Sequence, residues 1–190
     1  LPEGAMHWSW VIMLCAGIAV VYGAYIAFVQ TDMKYMIGFS SVSHMGLVML
    51  GLSTLNQNGL TGAGVQMFSH GVMTALFFAV TGMIYDRAHT RMIPELGGMM
   101  KIMPFAGIGF IIGGLVSTGM PGFSGFVAEF PIFMGVWESQ WLVAVIASIS
   151  IVITAAIISI PSHRFRRRRF SSAPCWLLSW LTMGTKMSGT

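Results

Sequence analysis

Residues Gly113–Trp137 read GGLVSTGMPGFSGFVAEFPIFMGVW. An apolar run enters this stretch, a Gly/Pro cluster interrupts it, and an apolar run leaves it, with one carboxylate, Glu129, just past the interruption. Hydrocarbon offers no water to loose backbone groups, so a break at membrane depth is tolerated only inside protein or beside a wet cavity. An acid in an apolar span is expensive and marks a functional site by default. Broken spans with ionisable groups nearby are one way in which transporters build ion sites. The expected fold is therefore all-α: a multi-pass transmembrane helix bundle of about five crossings, the fourth broken near Thr118–Gly125 and serving ion movement.

Composition agrees. Of 190 residues, 55% are hydrophobic and only 8% charged, against about 25% charged in an ordinary soluble domain. The basic balance is local. Residues 1–160 hold four basic residues (Lys34, Arg87, Arg91, Lys101) and six acids, whereas 161–190 hold six basic residues and no acid. No nucleic-acid surface is implied. Cys15 and Cys175 match no metal or redox spacing, and His89 and His163 have no ligand-like partner at useful spacing, so no metal site is expected. Gly97-Gly98 follows no strand and does not point to nucleotide binding. The chain starts with Leu1, shows no signal peptide, and reads as a piece of a longer polypeptide.

Outward from the break, the first span is expected over Trp8–Val29, with Trp8 and Trp10 as an interfacial anchor and Asp32 and Lys34 at the polar exit. The second covers Tyr35–Thr54 and opens with small and polar residues suited to close helix packing. Asn56–Gly59 is an uncharged turn, the third span covers Gly62–Tyr85, and Asp86–Lys101 is the longest polar connection. The halves of the fourth span, 104–118 and 125–137, are each short of the roughly 20 residues a crossing needs, so they read as one interrupted crossing. The fifth covers Trp141–Ile160. Lys and Arg then fall on alternate connections, which places every basic group on one side, the cytoplasmic side by the positive-inside rule.

Three ionisable groups fall inside spans: His44, His70 and Glu129. Histidine both takes and gives a proton near neutrality, which suits a relay. Ser40 and His44 share a helix face four residues apart, as do His70 and Thr74. A buried histidine can also be a structural packing contact satisfied by a carbonyl, and Glu129 can be a hydrated group at an interface. Two histidines together with a glutamate at a broken helix favour the ion path. Lys34 either snorkels to the headgroups or pairs with Asp32 or another helix's acid.

The segments QTDMKYMIGFSSVSHMGLVMLG, MFSHGVMTALFFAVTGMIYDRAHTR and STGMPGFSGFVAEF, in this order, closely resemble the proton-pumping antiporter-like membrane chains of NADH:quinone oxidoreductase, respiratory complex I. The likeness runs from about Met6 to Ala156. It implies a bundle of two inverted five-helix repeats, of which residues 1–157 resemble the second. His44 and His70 match the family's histidines on its polar axis, and Lys34 matches a lysine after an acid at a helix start. Glu129 stands in the family's second discontinuous helix. Glutamate there favours the chain M branch, called chain 4 in mitochondria, over its siblings L and N, which usually carry lysine.

The resemblance implies proton translocation coupled to NADH oxidation and quinone reduction, with Glu129, His44, His70 and Lys34 on the proton path. It also implies no redox cofactor in this chain. The implied partners are the complex I chains L and N and the small membrane chains. The implied location is a bacterial plasma membrane, or the mitochondrial inner membrane if organellar. The alternatives are a subunit of a multi-subunit cation/proton antiporter or membrane-bound hydrogenase, and a non-functional remnant or structural anchor. Residues 158–190 depart from the family and read as an aberrant basic tail, from a frameshift or an assembly artefact beginning near Ile157. The other reading is a cytoplasmic tail with a short amphipathic Trp-Leu segment. Resequencing the coding region is expected to show the frame change; an intact frame through residue 190 would remove it.

Overall fold

The Gly/Pro cluster of residues 118–123 does break a helix, and the rest of the bundle is built along that break. The computed structural model describes residues 2–167. Their helices are α1 (Pro2–Val29), α2 (Met33–Ser53), α3 (Gln57–Ala88), the short α4 (Met99–Ile102), α5 (Pro104–Ser117), α6 (Ser124–Ser139) and α7 (Trp141–Arg167). Side chains from residue 155 onward, and the whole of 168–190, lie outside the described residues, and the expectation of an aberrant tail falls there.

Local chemistry explains the boundaries. Asp32 caps α2, its carboxylate accepting from the Lys34 amide at 2.8 Å. The Asn56 side chain caps α3 by accepting from the Gly59 amide at 2.8 Å. That cap starts α3 five residues before the expected Gly62, so the turn expected over Asn56–Gly59 is largely the first turn of a helix. At its other end α3 runs past Tyr85 through Ala88 and stops at His89, which is in the left-handed conformation (φ 52°). Pro104 opens α5, where its missing N–H costs nothing.

α1, α2 and α3 are long and apolar enough to cross a membrane. At about 1.5 Å per residue the 32 residues of α3 exceed the roughly 30 Å of a hydrocarbon core. α5 and α6, with 14 and 16 residues, each fall short. Their contacts with α3 show how they are arranged. Gly59 of α3 lies against Gly135, Gly62 against Ala128 and Ile132, Ser69 against Ser124, Phe77 against Gly113, and Val80 against Gly109. Position rises along α3 while it falls steadily through α6 and then α5. The two short helices therefore lie end to end, antiparallel to α3, as one interrupted rod.

Small residues permit this approach. A Cβ on Gly62 would stand 2.7 Å from the Ile132 amide nitrogen, and one on Gly23 of α1 would stand 2.7 Å from the Ser43 amide nitrogen of α2. At the break, the carbonyls that end α5 are re-bonded. Gly114 O accepts from the Thr118 amide, Val116 O from Gly119 at 3.1 Å, and Leu115 O from Met120 at 3.2 Å. Gly119 has φ +61°, and a Cβ there would strike the Glu129 carboxylate; one on Gly125 would strike the Val116 carbonyl. Both ends of the bundle are tied. Met33 N donates to Arg91 O and Ile93 N to Thr31 O at one end, while Asn56 bonds Gly135 O at 2.8 Å and Glu138 at the other. Lys34 and Arg91 share the first end, as the loop-charge pattern requires.

Two apolar clusters fill the interior. One joins Met33 and Ile37 of α2, Phe77 and Ile84 of α3, Leu96 and Phe110. The other joins Val20, Leu47, Leu50, Ile132, Val136 and Ala144. On α2, α3 and the α5–α6 rod, the buried polar residues His44, His70, Ser117 and Glu129 fall at or between their edges.

Gly62→Ala is expected to destabilise by about 1–3 kcal/mol, the usual range for overpacking. Gly64→Ala, which meets nothing within 4 Å, serves as the control, and thermal melting in detergent checks both. Gly119→Ala is expected to lower the melting temperature in the wild type and to cost less in a Glu129→Ala background. Equal costs in the two backgrounds would remove the contact.

Candidate functional site

α2, α3, α5 and α6 all contribute to the polar layer. His44 reaches it from the middle of α2 and is 6% exposed; His70 of α3 is 7% exposed and Glu129 of α6 is 5% exposed. His44 is the centre. Its Nδ1 stands 3.5 Å from Glu129 Oε1, and its Nε2 lies 3.0 Å from Ser117 Oγ at the end of α5. Its ring centroid is 5.3 Å from that of His70, the planes tilted by 42°. The three ionisable groups expected inside spans therefore form one cluster, although they come from residues 44, 70 and 129 of the chain.

His70 Nε2 is hydrogen-bonded to Thr74 Oγ1 at 3.1 Å, the expected i, i+4 pair. Its Nδ1 has no protein partner among the described residues, nor does Gln66 Oε1, one turn earlier on the same face of α3. A buried polar atom without a partner costs about 1–3 kcal/mol, so this part of the layer is suited to hydration. Ser69 donates to Ser124 at 2.9 Å, joining α3 to the start of α6 beside the break.

Two expectations are placed elsewhere. Ser40 shares a sequence face with His44, but its hydroxyl bonds its own helix at Ile37 O, and the partner of His44 is Ser117. Lys34 is exposed in the first turn of α2, ten residues from His44, or about 15 Å along the helix. The structure does not bring it into the cluster. Ser117, Gln66 and Gly119 were not singled out in the sequence. The i, i+4 spacing to His70 could have found Gln66, whereas nothing local links Ser117 to a histidine 73 residues away.

Chemically, Glu129 can hold or release a proton, and His44 can exchange it without moving far. His70 is the next ionisable ring. Among the described residues, no group of three or more His, Cys, Asp or Glu side chains is placed to hold a metal ion.

Comparison with known proteins agrees with this architecture. The chain is 39% identical over 155 residues to NADH-quinone oxidoreductase subunit M of Rhodobacter capsulatus, covering 82% of this chain and 30% of that protein. It thus spans about a third of that relative's length. Among solved structures it superposes on a chain of respiratory complex I from Thermus thermophilus with TM-score 0.86 and 27% identity, covering 90% of this chain and 37% of that one. It shares its fold with a chain of the Mrp complex from Dietzia sp. (TM-score 0.82, 24% identity), covering 87% of this chain and 32% of that one. The model of the transmembrane family described as NADH:quinone oxidoreductase/Mrp antiporter matches residues 3–154, and the chain belongs to that family.

Proposed function

We propose that this chain forms part of a proton-translocating membrane subunit of NADH:quinone oxidoreductase, and that Glu129, His44 and His70 carry protons through it. The observation that supports this most directly is the placement of His44, buried between Glu129 at 3.5 Å and the ring of His70, beside a helix break. The imidazole against the carboxyl group gives its proton a neighbouring base. Among the described residues His70 Nδ1 has no protein partner, which suits it to onward exchange. The α5–α6 rod serves as the fourth crossing and α7 as the fifth. Lys34, at the rim of α2, serves as an entry or exit group and not as a member of the buried cluster.

In this reading the chain supplies no redox centre, and electron transfer belongs to partner subunits. Partners are the antiporter-like chains L and N and the small membrane chains of the complex. The membrane is the bacterial plasma membrane, or the inner mitochondrial membrane if the chain is organellar. The family also includes Mrp antiporters, so the second reading is a subunit of a cation/proton antiporter. Proton movement driven by NADH supports the first reading, and movement driven by a cation gradient alone supports the second.

Glu129→Gln, placed in the complete subunit and assembled complex in sealed vesicles, is the test. NADH-driven proton uptake is expected to fall about a hundredfold, the low end of what a positioned acid–base group contributes, while the complex still assembles. Uptake and NADH oxidation both at wild-type rates would overturn the role of Glu129.

A further inference from the structure

His44 belongs to neither half of the broken helix, yet it touches both. Nε2 meets Ser117 on the last turn of α5, and Nδ1 faces Glu129 on the second turn of α6. Ser117 is 4% exposed. It ends α5 just before the residues whose amides cap the helix.

We propose that Ser117 is a positioning residue of the proton path: through its hydrogen bond to Nε2 it holds the His44 ring across the helix break with Nδ1 towards Glu129. This rests on the proton-path reading of Glu129 and His44. The proton accounting gives Ser117 its role. For a protonated Glu129 to give its proton to a neutral ring, Nδ1 must present a lone pair, so Nε2 must carry the hydrogen and needs an acceptor. The Ser117 oxygen is that acceptor. Transfer breaks the Glu129 O–H bond and forms the Nδ1–H bond, giving a carboxylate and an imidazolium whose Nε2–H is still held by Ser117. Return of the Nδ1 proton to the Glu129 carboxylate restores the neutral ring with its hydrogen still on Nε2 and held by Ser117; in the other neutral tautomer, with the hydrogen on Nδ1, the Ser117 hydroxyl donates to Nε2 instead. A hydroxyl serves both tautomers by rotation, and the bond at one ring nitrogen sets the state of the other.

Little else competes for this ring. Among the described residues, the ionisable groups that face it are His70 from α3 and Glu129 from α6. α5 carries none, the described side chains of α7 through Thr154 carry none, and those of α1 are exposed. Gly119 fixes the other end of the arrangement, because its bare backbone is what lets the Glu129 carboxylate lie against the break. The α5 side of the break thus bounds the pair twice, once at the ring and once at the acid.

The test compares Ser117→Ala, Ser117→Thr and Glu129→Gln in the complete subunit and assembled complex, in sealed vesicles. The readouts are NADH-driven proton uptake per NADH oxidised and the infrared carboxyl band that disappears in Glu129→Gln. In Ser117→Ala, uptake is expected to fall about tenfold, the scale of one lost hydrogen bond to an ionised group, and the carboxyl band is expected to shift. Ser117→Thr keeps the hydroxyl and is expected to restore both. Wild-type uptake with an unmoved band in Ser117→Ala, or no rescue by threonine, overturns the proposal while leaving the role of Glu129 standing. Wild-type uptake in Glu129→Gln overturns the proton-path reading and this proposal with it.

Discussion

A carboxyl group at the depth of a membrane has to be solvated by the protein that carries it, and much of this bundle follows from that requirement at Glu129. Hydrocarbon supplies neither hydrogen bonds nor a counter-charge. The solution is an imidazole on one side of the acid and a bare glycine backbone on the other. Placing the imidazole requires α2 to pass close to the break, and that close passage requires the small-residue contacts among α1, α2 and α3. The apolar clusters on either side then hold the arrangement from above and below. Neither cluster could extend through the middle without burying an unpaired charge, which costs several kcal/mol.

The break is the second expression of the same requirement. An uninterrupted helix would satisfy its own carbonyls and present only side chains to the acid. Interrupting it at Thr118 brings backbone to the carboxylate, and the carbonyls this exposes are recovered by the amides of Thr118, Gly119 and Met120. Pro131, inside α6, removes one further backbone bond two residues beyond Glu129. Neighbouring helices tolerate these irregularities because α3 lies alongside the whole length of the rod, with its own glycines and serine against α6 and with Phe77 and Val80 set against the glycines of α5.

Much of this was legible in the sequence, and the reasons are physical. Apolar length and loop charge are local properties, so the helices fall near their expected places. The acid past a Gly/Pro cluster is also a local signal. The errors at the ends of α3 came from caps: Asn56 and His89 extend the helix through side-chain and left-handed geometry that hydropathy does not register. The partner of His44 was missed for a different reason. Helical periodicity puts Ser40 on the face of His44, but its hydroxyl satisfies its own backbone, and the partner of His44 lies on another helix 73 residues away. Lys34 shows the converse. Its sequence context matches the family pattern, but exposure at the first turn of α2 separates it from the buried cluster. Gly119 and Gly125 were visible only as helix breakers, whereas their use is to admit a carboxylate and a carbonyl.

The ties at the two ends of the bundle have a mechanical consequence. Backbone pairing between Thr31–Met33 and Arg91–Ile93 closes one end, and the Asn56 and Asn58 contacts with Gly135 and Glu138 close the other. α6 is thus anchored at its outer tip, whereas α5 reaches the paired end only through residues 94–103, and the two helices are joined in the middle by a few residues. A rearrangement that keeps the asparagine tie pivots α6 about its outer tip, and its inner end at the break then moves most. The largest displacement would arise where Ser117, Gly119 and Glu129 meet, so a change in which side of the membrane the acid faces needs no sliding of whole helices.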